Sequence, residues 1–154
     1  MKGARLLLCV DGSATSIQAA HVAVELAGDL GGEVRAIYVV EDHVVARALE
    51  ASGGTEGSTE ARRGQAGHSV LGHVEELGRS RGVSVATILR GGDPLEEILD
   101  EVRACTPQLI VIGRTGRRGP ASPLLGSLAA QVLELADCPV IVTPPGDRGR
   151  ASRV

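Results

Sequence analysis

The sequence predicts a single α/β domain in which five parallel strands form a Rossmann-like sheet with helices on both faces. Five short apolar runs alternate strictly with longer segments in which apolar residues recur at helical spacing. This alternation is typical of parallel strands joined by right-handed helical crossovers. A chain of 154 residues with 43% hydrophobic and 23% charged residues suits one domain with a full core.

The strands are predicted from the apolar runs. The first run is apolar on both faces, which favours a central position in the sheet. The third begins with the alternating Val83-Ser84-Val85-Ala86, which indicates an edge strand. Pro139 is compatible with a strand only at its start. The predicted strands are residues 5–10, 34–40, 83–89, 109–112 and 138–143.

Two helix starts carry capping residues. Thr15, followed by Gln18, predicts a capping box for the first helix, which should end at Gly31-Gly32. Asp93-Pro94-Leu95-Glu96 is the clearest start, with a capping aspartate and a proline in the first helical position. The predicted buried stripes are Ile17, Ala20, Val24 and Ala27 in the first helix, and Leu95, Ile98, Leu99 and Val102 in the second.

The remaining segments have weaker signals. Residues 52–67 are rich in Gly, Ser, Thr and charge, which predicts a long mobile connection. A helix should resume near Gly67 and stop by Gly82, with Val70, Leu71, Val74 and Leu77 inward. Another helix is expected over residues 127–136. The domain is expected to span residues 1–144, followed by a disordered C-terminal tail at 145–154.

Composition excludes several classes of function. A net charge of −3 argues against a nucleic-acid or anionic-membrane surface, and Tyr38 is the single aromatic residue, so base stacking is also disfavoured. Lys2 is the single lysine, which excludes a core Schiff-base lysine and the lysine of a Walker A loop. No apolar run resembles a signal peptide or a membrane span, so a cytoplasmic protein is expected.

Histidine and cysteine usage gives no metal signature. The four histidines show no i, i+4 pairing, and the three cysteines lie far apart. Cys9, Cys105 and Cys138 each adjoin an apolar run, which favours structural packing, with a reactive thiol as the alternative. Glu41 and Asp42 follow the second strand and could act as acid, base or metal ligand, although solvated surface positions are favoured.

A glycine-rich loop after the fourth strand carries the functional signal. Gly113 ends the strand, Gly116 follows in a basic loop, and Gly126-Ser127 opens the next helix. Strand, glycine loop and helix start in this order are typical of phosphate binding at the carboxyl edge of a parallel sheet. If the first and fourth strands are neighbours, Asp11 faces the same crevice.

Each part of the loop can supply one requirement of an anion site. Gly113 and Gly116 permit close backbone approach, and the amides of Gly126, Ser127 and Leu128 can converge on a phosphate. The Ser127 hydroxyl, with Arg114, Arg117 or Arg118, can add charge-assisted bonds. Arg117-Arg118 could equally be a solvated pair, and Asp11 could only form an Asx turn that caps the first helix. Walker A and dinucleotide-binding patterns are both absent.

The spacing Gly113, Gly116, Gly126-Ser127 resembles the G-2x-G-9x-G-[S/T] motif of ATP-binding universal stress proteins. The opening Leu8-Cys-Val-Asp-Gly-Ser13, the second strand at 37–40 and the closing Cys138-Pro-Val-Ile-Val142 extend the resemblance over residues 3–144. The resemblance implies strand order 3-2-1-4-5 and a homodimer through the strand at residues 138–143.

The resemblance also implies residue roles. Asp11 would lie near the ribose and phosphates and help to hold Mg²⁺, and Val39 would back the adenine. Gly113, Arg114, Gly116 and the neighbouring loop, which includes Arg117, would contact ribose and phosphates. Gly126, Ser127 and Leu128 would cradle the phosphates. Two positions depart from the family pattern, with Arg114 where a small residue is common and Gln108 where an aspartate is frequent.

These observations predict an ATP-binding regulatory module of the stress response, acting on an unknown downstream protein. No nucleophile–base pair is legible in the sequence, so no catalytic residue is assigned. Two alternatives stay open. One is an ATP-using enzyme on the same fold, either a slow Mg²⁺-dependent ATPase or a nucleotidyl transferase. The other is a nucleotide-free interaction scaffold.

Overall fold

The computed structural model describes residues 3–41, 56–115 and 125–146, with the side chains of the second segment described from residue 62 onward. Strands and helices alternate along these segments, as predicted. The strands are β1 (Arg5–Cys9), β2 (Glu33–Glu41), β3 (Val85–Gly92), β4 (Leu109–Gly113) and β5 (Val140–Thr143). The helices are α1 (Ala14–Leu30), α2 (Glu56–Ser80), α3 (Pro94–Cys105) and α4 (Ser127–Leu135).

The strands form one parallel sheet in the order β3-β2-β1-β4-β5. This confirms the predicted parallel sheet and the order that the resemblance implied. β1 is central, with Leu8 opposite Ala36 of β2 and Val111 of β4. β3 is an edge strand, as its alternating start indicated. The chain leaves β3 at one edge and enters β4 beside β1, so the strand order reverses between β1 and β4.

Helices cover both faces of the sheet, and each face has its own core. On one face, α1 and α2 pack over Leu6, Leu8 and Val111. On the other face, α3 and α4 pack over Leu7, Ile110 and Ile112. Because apolar side chains are buried on both sides, the central strands are almost continuously hydrophobic.

Gln108 ties the start of β4 to the start of β1. Its backbone N–H donates to the Arg5 carbonyl at 2.9 Å, and its side-chain oxygen accepts from the Arg5 N–H at 2.6 Å. The glutamine that departs from the family pattern therefore has a structural role at the amino end of the sheet, away from the glycine loop.

Ser13, not Thr15, caps α1. The Ser13 hydroxyl oxygen accepts from the Ser16 N–H at 3.3 Å, and Thr15 is buried in the first turn. The predicted capping box at Thr15 is wrong because the chain already turns at Gly12, whose φ of 84° is left-handed. Ile17 is only partly buried. The buried residues of α1 are Thr15, Ser16, Ala19, Ala20, Ala23, Val24 and Ala27.

α2 begins at Glu56, well before the predicted start near Gly67. The predicted connection over residues 52–67 is therefore wrong for residues 56–67, and residues 52–55 lie outside the described segments. Gly67 does not mark the start of the helix. It lies where α2 crosses the sheet closely, because a Cβ there would meet Leu89 Cδ1 at 2.6 Å and Tyr38 Cδ1 at 2.8 Å.

α3 begins as predicted, since the Asp93 carboxylate accepts from the Glu96 N–H at 3.1 Å and Pro94 occupies the first turn. Of its predicted stripe, Ile98 is buried, whereas Leu95, Leu99 and Val102 are only partly buried. Among the described residues, none of the helices combines the length and apolar composition that a membrane span requires.

A buried ion cluster lies between α3 and the β2–β3 side of the sheet. Glu101 is fully buried, with its carboxylate 2.5 Å from Arg35 Nε and 2.5 Å from Arg90 Nη2. Glu97 adds a second carboxylate, 3.3 Å from Arg90 Nη1. The Arg35 contact is an ion pair without hydrogen-bond alignment. The hydrogen bond that Arg90 donates to the Glu101 carboxylate raises the pKa of Arg90.

Candidate functional site

The predicted site lies at the carboxyl ends of β1 and β4. These strands are neighbours, with Cys9 opposite Ile112, so the segments that follow them leave the sheet side by side. Asp11 follows β1 and Gly113 ends β4. The sequence predicted that Asp11 and Gly113 share one crevice if the first and fourth strands are neighbours, and these strands are neighbours.

Asp11 forms the turn that leads into α1. Its Oδ1 atom accepts from the Ser13 N–H at 2.8 Å, and its own N–H donates to Ser16 Oγ at 3.3 Å. This is the Asx turn that the sequence left open as an alternative. The turn fixes the carboxylate at the crevice and is compatible with a further contact to a ligand.

Gly113 is needed for packing. A Cβ at this position would meet Thr15 Oγ1 at 2.5 Å and the Thr15 carbonyl carbon at 2.9 Å. The first turn of α1 therefore presses directly on the end of β4. The glycine has a structural reason in addition to the one proposed from the motif, which was close approach of a phosphate.

The two stems of the glycine loop are held together by backbone bonds. The Arg114 N–H donates to the Thr143 carbonyl at 2.8 Å, and the Gly126 N–H donates to the Arg114 carbonyl at 2.8 Å. Gly116, Arg117 and Arg118 lie outside the described residues. The structure thus brings Asp11, Gly113, Arg114 and Gly126 to one edge of the sheet.

Arg114 has one buried donor atom without a partner among the described residues. Its Nε is buried, and no hydrogen-bond partner for it exists within residues 3–41, 56–115 and 125–146. Buried donors without partners are rare in folded proteins. The residue that departs from the family pattern is therefore a donor for which the described residues supply no acceptor.

The N-terminus of α4 opens at the same edge. Gly126 precedes the helix, and its carbonyl accepts from the Ala130 N–H at 2.9 Å. No side chain of the described segments caps this end. The amides of Ser127 and Leu128 precede the first intrahelical bond, and free amides at the positive end of a helix dipole favour a nearby anion. Ser127 is exposed and Leu128 is partly buried.

Val39 lies near the carboxyl end of β2, opposite Arg90 of β3. Its side chain is partly buried and packs against the core under α3 and α4. β1 lies between β2 and β4, so Val39 has no sheet pairing with the strand from which the glycine loop leaves. It is an apolar wall at the same edge.

The thiols are protected. Burial, with smaller contributions from Asp11 and Cys105, raises the pKa of the Cys9 thiol from 9.0 to about 12. Burial also raises the pKa of Cys105 and of Cys138. Thiolates are the reactive form, so these values favour the structural interpretation over the reactive one. Among the described residues, no group of three His, Cys, Asp or Glu side chains could hold a metal ion by itself.

The sequence did not indicate the hydrogen bonds of two threonines at this edge. The Thr15 hydroxyl donates to the Thr115 carbonyl, and the Thr143 hydroxyl donates to the Thr15 carbonyl at 3.2 Å. Thr15 was interpreted as a helix cap, and Thr143 was simply the end of an apolar strand. The one available signal was a β-branched hydroxyl residue following three aliphatic residues in β5.

The sequence is similar to one protein family over nearly its whole length. The model of that family, described as the universal stress protein family, matches residues 4–144. A universal stress protein from Methanocaldococcus jannaschii is 35% identical over 138 residues, covering 90% of this chain and 80% of that protein. The universal stress protein YxiE from Bacillus subtilis is 30% identical over 145 residues, covering 90% and 97%.

Three solved structures share the fold. A protein named as hypothetical, whose structure was used to assign its biochemical function, has a TM-score of 0.80 at 20% identity, covering 96% of this chain and 99% of that one. A family protein from Arabidopsis thaliana with AMP bound has a TM-score of 0.64 at 19% identity, covering 97% and 94%. A universal stress protein in complex with cAMP has 0.67 at 16%, covering 94% and 99%.

Proposed function

The chain belongs to the universal stress protein family, and we propose that it is an ATP-binding regulatory protein of the stress response. The observation that carries the proposal is the uncapped N-terminus of α4, held beside the β1–β4 crevice by the bond from Gly126 to Arg114. Two proteins of the same fold were solved with AMP and with cAMP, which supports an adenine nucleotide as the ligand.

The phosphates are assigned to backbone amides and an arginine. The N–H groups of Ser127 and Leu128 have no intrahelical acceptor at the start of α4, where the helix dipole favours an anion. Gly126, whose own N–H donates to the Arg114 carbonyl, has no side chain and lets a phosphate approach the backbone closely. The Ser127 hydroxyl and the Arg114 guanidinium add donors. Micromolar affinity corresponds to roughly −8 kcal/mol. Four or five charge-assisted contacts of about 1.5–3 kcal/mol each reach it after the cost of association.

Adenine and ribose are assigned to the neighbouring strand ends. Val39, at the carboxyl end of β2, offers an apolar wall for the base, and Asp11 offers a carboxylate on the ribose and phosphate side. Gly116 and Arg117, which complete the motif, are assigned to the ribose and phosphates from the sequence alone. Where Mg²⁺ accompanies the triphosphate, one carboxylate with phosphate oxygens and waters is a usual ligand set, and Asp11 supplies that carboxylate.

We further propose that the protein is a homodimer through β5. In the described sheet this strand pairs only with β4, so its other edge has unpaired backbone groups. Val140, Ile141 and Val142 are only partly buried. Leu133 and Leu135, on the helix that precedes β5, are 49% and 53% exposed. Two such edges would pair antiparallel about a two-fold axis.

The nucleotide is proposed to act as a regulatory ligand rather than a substrate. Regulation fits the absence of a nucleophile–base pair among the groups at the described crevice, where Asp11 is engaged in a turn and the Cys9 thiol is protonated at neutral pH. The competing enzyme hypothesis requires turnover. Release of product from saturating Mg-ATP faster than about one per second would establish an ATP-using enzyme instead.

The direct test combines two measurements on the purified protein. Mass spectrometry of the supernatant after denaturation should identify a co-purified adenine nucleotide. Calorimetric titration of nucleotide-free protein should show ATP binding at micromolar concentration and adenosine binding much more weakly, because adenosine lacks the anion that α4 would hold. Equal affinity for ATP and adenosine would remove the phosphate site, and no binding of either would favour the nucleotide-free scaffold.

A further inference from the structure

Thr15 and Thr143 are buried threonines beside the described stems of the glycine loop. They are 4% and 2% exposed. The Thr15 hydroxyl donates to the Thr115 carbonyl, one residue beyond Arg114. The Thr143 hydroxyl donates to the Thr15 carbonyl at 3.2 Å. Each hydroxyl therefore joins two elements that are distant in sequence.

These bonds continue through the backbone to α4. The Thr143 carbonyl accepts from the Arg114 N–H at 2.8 Å, and the Arg114 carbonyl accepts from the Gly126 N–H at 2.8 Å. The path runs from α1 to the entry stem of the loop, and from there to the residue that precedes α4. The positions of both loop stems therefore depend on the position of Thr15.

Thr15 itself is fixed by packing. Gly113 leaves room for it, since a Cβ on Gly113 would meet Thr15 Oγ1 at 2.5 Å and Thr15 Cβ at 2.9 Å. Ser13 Oγ lies 3.3 Å from the same hydroxyl, on the turn that holds Asp11. The hydroxyl therefore sits between the Asp11 turn and the loop stem, the two segments that flank the crevice.

We propose that Thr15, braced by Thr143, is a positioning residue of the nucleotide site. Its hydroxyl holds the Arg114-Thr115 stem against α1 and, through Gly126, sets where the first-turn amides of α4 point. Preorganised donors bind an anion without paying for ordering on binding. This inference rests on the proposed nucleotide binding, and it also makes a claim about the free protein.

The test uses variants that separate the role of the threonine hydroxyl from the role of its methyl group. Thr15→Val and Thr143→Val keep the shape and remove the hydroxyl, and Thr15→Ser keeps the hydroxyl. Thr87→Val is the matched control, because the Thr87 hydroxyl also donates one side-chain bond, to Glu75 Oε1 at 2.8 Å, but on the edge strand β3. Two quantities are measured: the dissociation constant for ATP, and amide hydrogen exchange of Gly126 and Arg114 without nucleotide.

We expect Thr15→Val to weaken ATP binding about tenfold, the loss of one well-placed hydrogen bond. Thr15→Ser should restore it, Thr143→Val should be intermediate, and Thr87→Val should bind as wild type. Exchange at Gly126 and Arg114 should accelerate in Thr15→Val and Thr143→Val only. The isosteric strand variant Thr143→Val decides the matter if Thr15→Val does not fold.

Unchanged exchange at both amides in the valine variants would overturn the positioning role, whether or not ATP binds. If wild type binds no ATP but exchange is faster in the valine variants, the positioning of the loop stem by Thr15 would be upheld and the proposed function refuted. Thr15→Ser as weak as Thr15→Val would show that the methyl packing, rather than the hydroxyl, matters, and would also overturn the proposal.

Discussion

Glu101 offers the sharpest test of how α3 is held on the sheet. Its side chain is 0% exposed and lies 2.5 Å from both Arg35 Nε and Arg90 Nη2. We expect Glu101→Gln to destabilise the protein, because the neutral amide keeps the shape but loses the charge and one of the two acceptor oxygens. Arg90 would keep its ion pair with Glu97, whereas the Arg35 guanidinium would lose the carboxylate beside it.

The expected loss in the free energy of unfolding is about 3 kcal/mol. Removing one partner of a buried ion pair costs roughly 3–5 kcal/mol. The lower end applies because the Arg35 and Arg90 side chains are 39% and 31% exposed and can turn toward water. The control is Glu76→Gln. Glu76 pairs with Arg79 on the surface with 69% of its side chain exposed, so the loss should stay below about 1 kcal/mol.

Urea unfolding followed by circular dichroism measures both variants, with equal m-values required for the comparison. A third variant separates breaking the cluster from replacing it. Substituting Arg35, Arg90 and Glu101 together by methionine removes all three charges, and should be more stable than Glu101→Gln, because apolar packing of similar volume often matches a buried ion pair. A wild-type midpoint for Glu101→Gln, or a triple variant less stable than it, would refute the reasoning.

Three further outcomes concern the site, the sheet edge and a thiol. Gly126→Val should lose ATP binding in calorimetry yet stay folded, because a Cβ at this position would lie 3.0 Å from the Arg114 carbonyl oxygen and crowd the loop stem. Gly72→Val, which adds a side chain in open space, should bind ATP as wild type does. Normal binding by Gly126→Val would show that the site has been assigned to the wrong residues. Val142→Lys should sediment as a monomer and Ala86→Lys, on the opposite edge, as a dimer; the reverse result would place the interface at β3. Burial raises the pKa of Cys9 from 9.0 to about 12, so the native state keeps a proton that the unfolded chain releases. Stability should therefore fall as pH rises through that window, and less steeply in Cys9→Ala; identical slopes in urea titrations would contradict this.

Most of the fold was predictable because the signals are local. The apolar runs and the Asp93-Pro94 cap depend on side chains within a few positions of one another, and both were confirmed. The start of α2 was not predictable in this way. Its first residues have a polar composition typical of loops, and Gly67 is compatible with a helix start until the close contact of the helix with the sheet at this position is known. Tertiary packing decided the outcome, as it often does for weak local preferences.

The site was predictable where it depends on sequence spacing and not where it depends on contacts. The glycine spacing predicted a site at the carboxyl ends of the strands, and the strand order brings Asp11 and Gly113 to neighbouring strand ends. The Thr15–Thr143 pair joins residues 128 positions apart, and no local pattern marks such a bond. Glu101 is a similar case, because a charged residue in a helix is expected at the surface until its two arginine partners are seen.

The pairing of β1 with β4 also constrains how the chain folds during synthesis. The bond from Arg5 to the Gln108 side chain closes 103 positions of sequence, and the innermost strand has one neighbour from each half of the chain. On the ribosome, Leu6 and Leu8 emerge early and must wait for Val111 before both of their flanks are covered. Such non-local pairing slows folding and leaves apolar surface open in the interval. The apolar flank of β1 that β4 covers is therefore exposed until the second half of the chain has been made.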